Sequence, residues 1–331
     1  MIPVTLLTGF LGSGKTTLLA RLLKSPEFGR SAVIINEFGE VGIDHDLVAA
    51  AEESFVTLET GCICCMVRGD LEATLADLVA RRMTGALPLF ERIVIETSGL
   101  ADPAPVINAV MSETGRGAGI VLDGVVTTVD AVTGAHTLDR EAQAIRQVAV
   151  ADRLIVTKTD LTGNRLEPRL AARLRDINPR APVTTAIRGE LGSGVLIGIG
   201  SVDALIPRAG SDEPTPAPRH NPSISSISIR RADPVPAVAL TLFLEALADH
   251  AGADLLRLKG LIHVAEHPDR PAVIHGVQHV FHEPQWLAAW PTDDRSTRLV
   301  LIGKGLSQLW VQRLLDAIEA EVREIATTAA P

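Results

Sequence analysis

Residues 9–16 have the types and spacing of a phosphate-binding loop. They read Gly-Phe-Leu-Gly-Ser-Gly-Lys-Thr and match the pattern G-x-x-x-x-G-K-[ST] in full. Glycines permit backbone angles that other residues resist, so successive amide N–H groups can converge on an anion at a helix N-terminus. A strand-like apolar run precedes the loop and a helical pattern follows it, which favours a nucleotide site over a chance glycine-rich turn.

The side chains of this loop have separate expected tasks. Lys15 would reach the β- and γ-phosphates, the Thr16 hydroxyl would ligate Mg²⁺, and Thr17 could contact the α-phosphate. Lys15 and Thr16 are therefore also catalytic candidates. The nucleotide-binding residues predicted from the loop are Gly9, Gly12, Ser13, Gly14, Lys15, Thr16 and Thr17.

A second nucleotide signal follows the apolar run 92–95, which ends in Glu96 with Gly99 three residues later. This is the layout of a Walker-B acid followed by a γ-phosphate sensor. Glu96 would hold Mg²⁺ directly or through water, as a third catalytic candidate, and the Gly99 amide could contact the γ-phosphate. The alternative is an ordinary acid at the carboxyl edge of a parallel sheet.

A base-recognition signal occupies residues 157–160, Thr-Lys-Thr-Asp. The Asp160 carboxylate can accept hydrogen bonds from guanine N1–H and the 2-amino group, and the Lys158 stem can pack on the base. Adenine lacks that donor pair, so the motif favours GTP over ATP. GTPases carry Asn where Thr157 stands, and Thr157 can donate one hydrogen bond but not an amide pair. An exposed strand end is the alternative.

The only three cysteines of the chain lie within four residues, at Cys62, Cys64 and Cys65. An odd, clustered number is no disulfide framework and indicates metal binding or redox chemistry. Thiolates favour Zn²⁺, Co²⁺ and Ni²⁺, and three of them leave a fourth position open, as a transfer or sensor site needs. The alternative is buried cysteine acting as a small hydrophobic residue.

The acidic, glycine-broken segment 36–44 is predicted to be a switch at the same edge of the sheet. Its carboxylates at Glu37, Glu40 and Asp44 could touch Mg²⁺ or complete the cysteine-bound metal, with Glu37 and Glu40 as the metal-ligand candidates. They could equally be solvated loop acids.

Composition limits the other possibilities. The net charge of −9 argues against non-specific binding to nucleic acid or to an anionic membrane. The 331 residues contain no apolar stretch of about 20 residues and no signal peptide, so a cytoplasmic location is expected.

The first 200 residues alternate apolar runs with helical patterns, which predicts a mostly parallel α/β sheet flanked by helices, the P-loop NTPase fold. The predicted strands are 4–8, 32–36, 55–59, 92–96, 124–129, 153–157 and 183–186, and the predicted helices are 15–24, 70–82, 103–112, 141–149 and 167–177. The cysteines would lie in a loop after the strand 55–59.

Three segments are predicted along the chain: a nucleotide domain at 1–206, a Pro-rich linker at 207–223 and a smaller α+β domain at 224–331. The second domain should contain strands 225–230, 255–265, 272–281 and 297–302 and helices 235–250 and 306–322. The histidines His263, His267, His275, His279 and His282 lie there. If 263/267 and 275/279 lie on strands, each pair shares a face, so a second metal site or a polar docking face is conceivable.

The order of five motifs closely resembles that of the CobW-like metallochaperone GTPases, which are relatives of the nickel-inserting urease and hydrogenase accessory GTPases. The motifs are GFLGSGKTT, INEFGEVGID, ETGCICC, ETSGLADP and TKTD. The resemblance covers the whole chain. It is looser beyond the linker, where LLRLKGLIHVAE, AVIHGVQHVFHE and DRSTRLVLIGKG carry it.

The resemblance implies slow GTP hydrolysis coupled to binding and delivery of a divalent metal, zinc first and cobalt next. It places the metal thiols on Cys62, Cys64 and Cys65, the Walker-B acid on Glu96 and base recognition on Lys158 and Asp160. It also implies a client metalloenzyme and leaves a homodimer open. Two other functions are considered: a zinc-sensing adaptor with a vestigial GTPase, and a small-molecule kinase.

Overall fold

The computed structural model describes residues 1–36, 56–57, 63–67, 70–188, 190–191, 196–199 and 224–328. The chain divides into two compact units: Met1–Arg175 with Arg180–Ser201, and Asp176–Pro179 with Val202–Pro331. The predicted linker lies outside the described residues.

Among the described residues, the first unit contains a sheet of eight strands that is flanked by helices. Its strands are β1 (Ile2–Gly9), β2 (Ser31–Asn36), β3 (Val56–Thr57), β4 (Ile63–Val67), β5 (Arg92–Thr97), β6 (Ile120–Asp130), β7 (Arg153–Thr157) and β8 (Val183–Thr185), and its helices are α1 (Lys15–Leu22), α2 (Leu71–Met83), α3 (Ala104–Met111), α4 (Glu113–Gly117), α5 (Gly134–Arg140), α6 (Ala142–Ala149) and α7 (Pro168–Ile177). The strand order is β3-β4-β2-β5-β1-β6-β7-β8. Every pairing is parallel except β3 with β4. The predicted P-loop NTPase fold is confirmed.

Burial explains why the apolar runs became the central strands. Leu6 on β1, Ile95 on β5 and Ile155 on β7 are all fully buried, as expected where helices cover both faces of a parallel sheet. The helix α1 contributes Leu18 and Leu22 to the core beneath it. The phosphate loop therefore connects a buried strand to a helix whose apolar face is also buried.

The register of the sheet brings four strand ends to one edge. Leu7 on β1 lies opposite Glu96, and Gly9 lies opposite Thr128 on β6. Asp130 at the end of β6 lies opposite Thr157 at the end of β7. Because parallel strands deliver their carboxyl ends to the same edge, the predicted phosphate, Mg²⁺ and base motifs meet there.

The second unit is a smaller α+β structure. Its elements are β9 (Ser225–Arg231), α8 (Ala237–Ala251), β10 (Leu255–Ile262), β11 (Ala272–Val277), β12 (Val280–Phe281), β13 (Gln285–Trp286), β14 (Thr297–Gly303) and α9 (Gln308–Thr328). The antiparallel sheet has the order β12-β11-β10-β14-β9, with β13 paired to β11. Both helices share one core with it.

The predicted strand 272–281 is two strands, which corrects the sequence interpretation. Gln278 has a φ of 55°, a left-handed backbone that suits a turn and not a strand. β11 and β12 therefore form a hairpin around it. Within the described parts of the chain, no helix is both long and apolar enough to span a membrane.

Candidate functional site

The loop between β1 and α1 is shaped by its glycines. The φ angles of Gly9, Gly12 and Gly14 are 144°, 70° and 89°, a region that glycine alone adopts readily. A Cβ on Gly9 would lie 2.3 Å from Thr128 Oγ1 and 2.7 Å from Ser13 Oγ, whereas a Cβ on Gly12 would have nothing within 4 Å. Close packing therefore requires glycine at position 9, whereas at position 12 the backbone angle favours glycine.

Lys15 is folded over this loop. Its side chain is buried, and Nζ donates hydrogen bonds to the carbonyl oxygens of Gly9 at 2.9 Å and Phe10 at 3.4 Å. A cation held above a glycine-rich turn at the start of a helix is electrostatically complementary to a polyphosphate. Thr17 lies exposed in the first turn of α1.

The side chains of Thr16 and Glu96, which come from different elements, form a short hydrogen bond. The Thr16 hydroxyl donates to Glu96 Oε1 at 2.6 Å, and Glu96 is buried at the carboxyl end of β5. A hydroxyl and a carboxylate are the hard oxygen ligands that Mg²⁺ prefers beside nucleotide phosphates. The residue pair therefore fits a magnesium ion.

The Gly99 loop packs directly on the phosphate loop. A Cβ on Gly99 would lie 2.7 Å from the backbone nitrogen of Leu11. The preceding amide, Ser98 N–H, donates to the carbonyl oxygen of Asn36 at 3.0 Å. The predicted sensor thus lies between the phosphate loop and the end of β2, where segment 36–44 begins.

Thr157 is bound to the phosphate loop. It is buried, and its hydroxyl donates to the Ser13 carbonyl oxygen at 2.6 Å. Its Oγ1 would also lie 3.4 Å from a Cβ placed on Gly14. The hydroxyl also lies 3.3 Å from the Val129 carbonyl oxygen, but the shorter hydrogen bond connects the end of β7 to the phosphate loop.

Lys158 and Asp130 form a charged pair beside the base motif. Lys158 has a left-handed backbone, with φ 57°, and its Nζ lies 2.7 Å from Asp130 Oδ2. Burial would raise the pKa of Asp130, but hydrogen bonds from Lys158 and from the N–H groups of Val132 and Thr133 outweigh it and hold that pKa below its usual value. Asp160 follows in the turn Thr159–Thr162.

Sequence reasoning missed two contributors to this edge. One is Asp130, which ends the apolar run of β6 as Glu96 ends that of β5, so the same signal could have found it. The other is Thr128, whose hydroxyl lies 2.7 Å from Ser13 Oγ. No local pattern marks Thr128, because its partner is 115 residues away.

The backbone around the cysteines differs from the expected loop. Cys64 and Cys65 lie within β4, opposite Val33 and Ile34 of β2. The run 63–67 contains no glycine or proline, and it supplies the ladder that β2 would otherwise lack on that side. Cys65 is two residues short of the level of Asn36, about 7 Å along the strand.

The other predicted metal ligands lie outside the described residues, and so does the switch acid Asp44. These ligands are Cys62, Glu37 and Glu40. Within the described ranges, no three His, Cys, Asp or Glu side chains are grouped as a metal site would require. The cysteine and acidic ligand set therefore stays a prediction.

The second-unit histidines do not pair on strands as expected. His263 follows β10 and His267 lies beyond it, while His275 is on β11 and His279 is in the hairpin turn. Two of the rings contact tryptophan edges instead: His263 with Trp290, with ring centroids 5.3 Å apart, and His267 with Trp286 at 4.8 Å.

Comparisons with known proteins identify the family of both domains. The family model "CobW/HypB/UreG, nucleotide-binding domain" matches residues 3–185, and "Cobalamin synthesis protein cobW C-terminal domain" matches 224–319. The zinc chaperone YjiA of Escherichia coli is 37% identical over 91% of this chain and 94% of its own length. The zinc chaperone CobW of Pseudomonas aeruginosa is 34% identical over 93% and 88%.

A solved structure matches over nearly the whole chain as well. The crystal structure of Zn(II)-bound YjiA GTPase from E. coli superposes with a TM-score of 0.73 and 32% identity, covering 96% of this chain and 98% of the other.

Proposed function

Because this chain belongs to the CobW family of nucleotide-binding proteins, we propose that it is a GTP-hydrolysing metallochaperone. It binds a divalent metal ion as cargo and delivers it to a client metalloenzyme. Zinc is the first choice of cargo, since similar proteins over most of the chain are named zinc chaperones, and cobalt is the second.

The hydrogen bond of 2.6 Å between Thr16 and Glu96, beside Lys15, carries this proposal. These residues would hold Mg²⁺ with the nucleotide, and the ion would supply charge neutralisation at the phosphates. Lys15 and the loop amides stabilise the charge that develops on the transferred phosphoryl group. The Gly99 loop, packed on Leu11, reports whether a γ-phosphate is present.

Base selection is assigned to Asp160 and Lys158. The Asp160 carboxylate accepts the two guanine hydrogen bonds, and the Lys158 stem covers the base while Asp130 restrains its ammonium group. Thr157 contributes indirectly, through its bond to Ser13. A competition of GTP against ATP measures this selectivity, and Asp160→Ala is expected to reduce it.

The cargo site is assigned to Cys62, Cys64 and Cys65, with Glu37 and Glu40 as further ligands. β4 pairs directly with β2, and the acidic segment continues from the end of β2. A change in that segment on hydrolysis can therefore alter the cargo site through adjacent backbone. By linkage, metal must change GTP affinity by the same factor as GTP changes metal affinity.

This function implies reduced thiols, and hence the cytoplasm, together with a client protein and the option of a homodimer around the nucleotide. Sedimentation with GDP and with a GTP analogue tests the homodimer. Phosphate release to water without an added acceptor distinguishes the GTPase from a small-molecule kinase.

The decisive experiment measures zinc and cobalt affinity in the presence of GDP and then of a non-hydrolysable GTP analogue. It compares this chain with a variant carrying Cys62→Ala, Cys64→Ala and Cys65→Ala. We expect a nucleotide-dependent affinity that the variant loses. Binding that ignores both nucleotide and cysteines would overturn the metallochaperone function and leave the GTPase alone.

A further inference from the structure

The helix α6 presents three polar side chains to the loop that follows Glu96. Gln143, Arg146 and Gln147 are spaced i, i+3 and i+4, so they lie on one face of the helix. Opposite that face runs loop 98–102, which carries the predicted γ-phosphate sensor Gly99. No feature of the phosphate or base motifs accounts for this polar face.

Four hydrogen bonds join α6 to the loop. Gln147 Nε2 donates to the carbonyl oxygens of Gly99 at 3.1 Å and Ala101 at 3.2 Å. Gln143 Nε2 donates to the Ala101 carbonyl at 2.7 Å. Arg146 donates to Asp102 Oδ2 at 3.0 Å. Most of these acceptors are backbone carbonyls, so α6 holds the path of the loop and not only its side chains.

Gln147 is the central residue of this contact. Its side chain is fully buried, and its Oε1 accepts no hydrogen bond from the described part of the chain. A buried amide with one unpaired atom costs stability, whereas a nonpolar side chain of equal size would not. The Gln147 amide instead donates two hydrogen bonds to the loop, which a nonpolar side chain could not do.

The helix is itself anchored to the sheet. The Thr127 hydroxyl on β6 donates to the backbone carbonyl oxygen of Gln147 at 2.7 Å, and Thr127 is buried. On its other side, the Gly99 loop meets the backbone of Leu11. Gly99 is thus confined between the phosphate loop and a helix fixed to the central strand β6.

We infer that α6 holds the γ-phosphate sensor in its working position, and that Gln147 is a positioning residue for GTP hydrolysis. This rests on the proposed GTPase function. Because the Gln147 side chain donates its hydrogen bonds to the loop proposed to read the γ-phosphate, its loss should affect GTP and its analogues and spare GDP.

The test uses the full chain with Gln147→Met, which keeps the side-chain volume and removes both donors and the unpaired acceptor. We expect kcat to fall about tenfold, the loss expected from two hydrogen bonds. The ratio of affinities for a GTP analogue and for GDP should fall by a similar factor, with the GDP Kd within about twofold of wild type. The last two readouts separate positioning from general damage to the fold.

A second variant guards against misfolding of the first. Arg146 is partly exposed, so Arg146→Met should fold normally, lower the analogue-to-GDP ratio about threefold, and be partly rescued by Arg146→Lys. Gln308→Met is the matched control, since Gln308 donates to a strand carbonyl, Ser228 O, in the second unit.

The outcomes are distinct. If wild type neither hydrolyses GTP nor distinguishes the analogue from GDP, the proposed GTPase function fails whatever the variants do. If wild type does both and Gln147→Met and Arg146→Met match it within twofold, the inference is overturned. Equal losses for GDP and the analogue would also overturn it, because they would assign Gln147 a purely structural role.

Discussion

The two units bury charged side chains for different purposes. In the first, the buried Lys15 and Glu96 lie at one edge of a parallel sheet, where we propose that the nucleotide and Mg²⁺ bind. In the second, Arg231 on β9 donates to Asp316 and, at 2.8 Å, to the buried Glu319 of α9. The charged side chains of the first unit thus line the proposed nucleotide site, whereas those of the second unit form ion pairs with one another.

Topology explains the difference. Parallel strands all finish at the same edge, so the residues that follow them converge. Antiparallel strands finish alternately at opposite edges, so their polar residues are spread out and pair locally. Substitutions in the first unit should therefore change nucleotide chemistry more than stability, and those in the second should do the reverse.

The largest expected effect is on hydrolysis. Lys15→Met removes the cation folded over the phosphate loop, and kcat should fall about 100- to 1000-fold, measured as phosphate release. Lys24→Met, an exposed lysine just beyond α1, is the control and should retain wild-type turnover. A Lys15→Met variant that hydrolyses GTP normally would contradict the expectation that substitutions in the first unit change nucleotide chemistry.

Next is the opposite test, in the second unit. Arg231→Met leaves the buried carboxylate of Glu319 without its nearest cation, and the free energy of unfolding should fall by about 2 to 3 kcal/mol. Urea denaturation measures it, and turnover per folded molecule should not change. Arg230→Met on the same strand removes an exposed pair with Asp294 and should cost well under about 1 kcal/mol.

Smaller again is the effect of a single methyl group at the sensor. Gly99→Ala places a Cβ 2.7 Å from Leu11 N, so the loop must move away from the phosphate loop. A GTP analogue should bind about tenfold more weakly, a cost of about 1.4 kcal/mol, by titration calorimetry. Gly117→Ala, where a Cβ meets nothing within 4 Å, should leave binding intact.

The smallest effect concerns Asp130, whose pKa is lowered. A depressed carboxyl pKa stabilises the fold above the ordinary value of 3.8, and this contribution is lost as pH falls through the lower, folded-state pKa. Asp130→Asn should remove about 0.5 kcal/mol at neutral pH, since Lys158 is partly exposed. The difference from wild type should vanish in strong acid.

Unfolding titrations at several pH values measure this difference. Asp77→Asn, at an exposed pair with Arg81 on α2, is the matched control for loss of a surface carboxylate. A difference that grows as the pH falls below 3.8 would contradict the assignment.

Much of the fold could be predicted because its signals are local. The apolar runs at 4–8, 92–96 and 153–157 became β1, β5 and β7 almost without change, since strands buried on both faces need continuous hydrophobicity. The helices α4 and α5 were missed because they are short. The hairpin at Gln278 was missed because glutamine gives no turn signal.

The site was predictable to the extent that its motifs are contiguous. The phosphate loop consists of nine consecutive residues, 9–17, which include its glycines, lysine and threonines. They are contiguous because one turn of backbone must surround one phosphate chain. Likewise, Glu96 and Asp160 each follow a recognisable strand. The sequence alone therefore predicted which residues should face the nucleotide, and the structure brings the described ones to one edge of the sheet.

Only the tertiary structure decided how those residues are held. Lys158 meets Asp130 from 28 residues away, Thr157 meets Ser13 from 144, and Gln147 meets the Gly99 carbonyl from 48. Such pairs depend on which strands become neighbours, and no local pattern encodes that order. The same dependence placed Cys64 and Cys65 in β4, because β2 offered an open ladder that a short apolar run could complete.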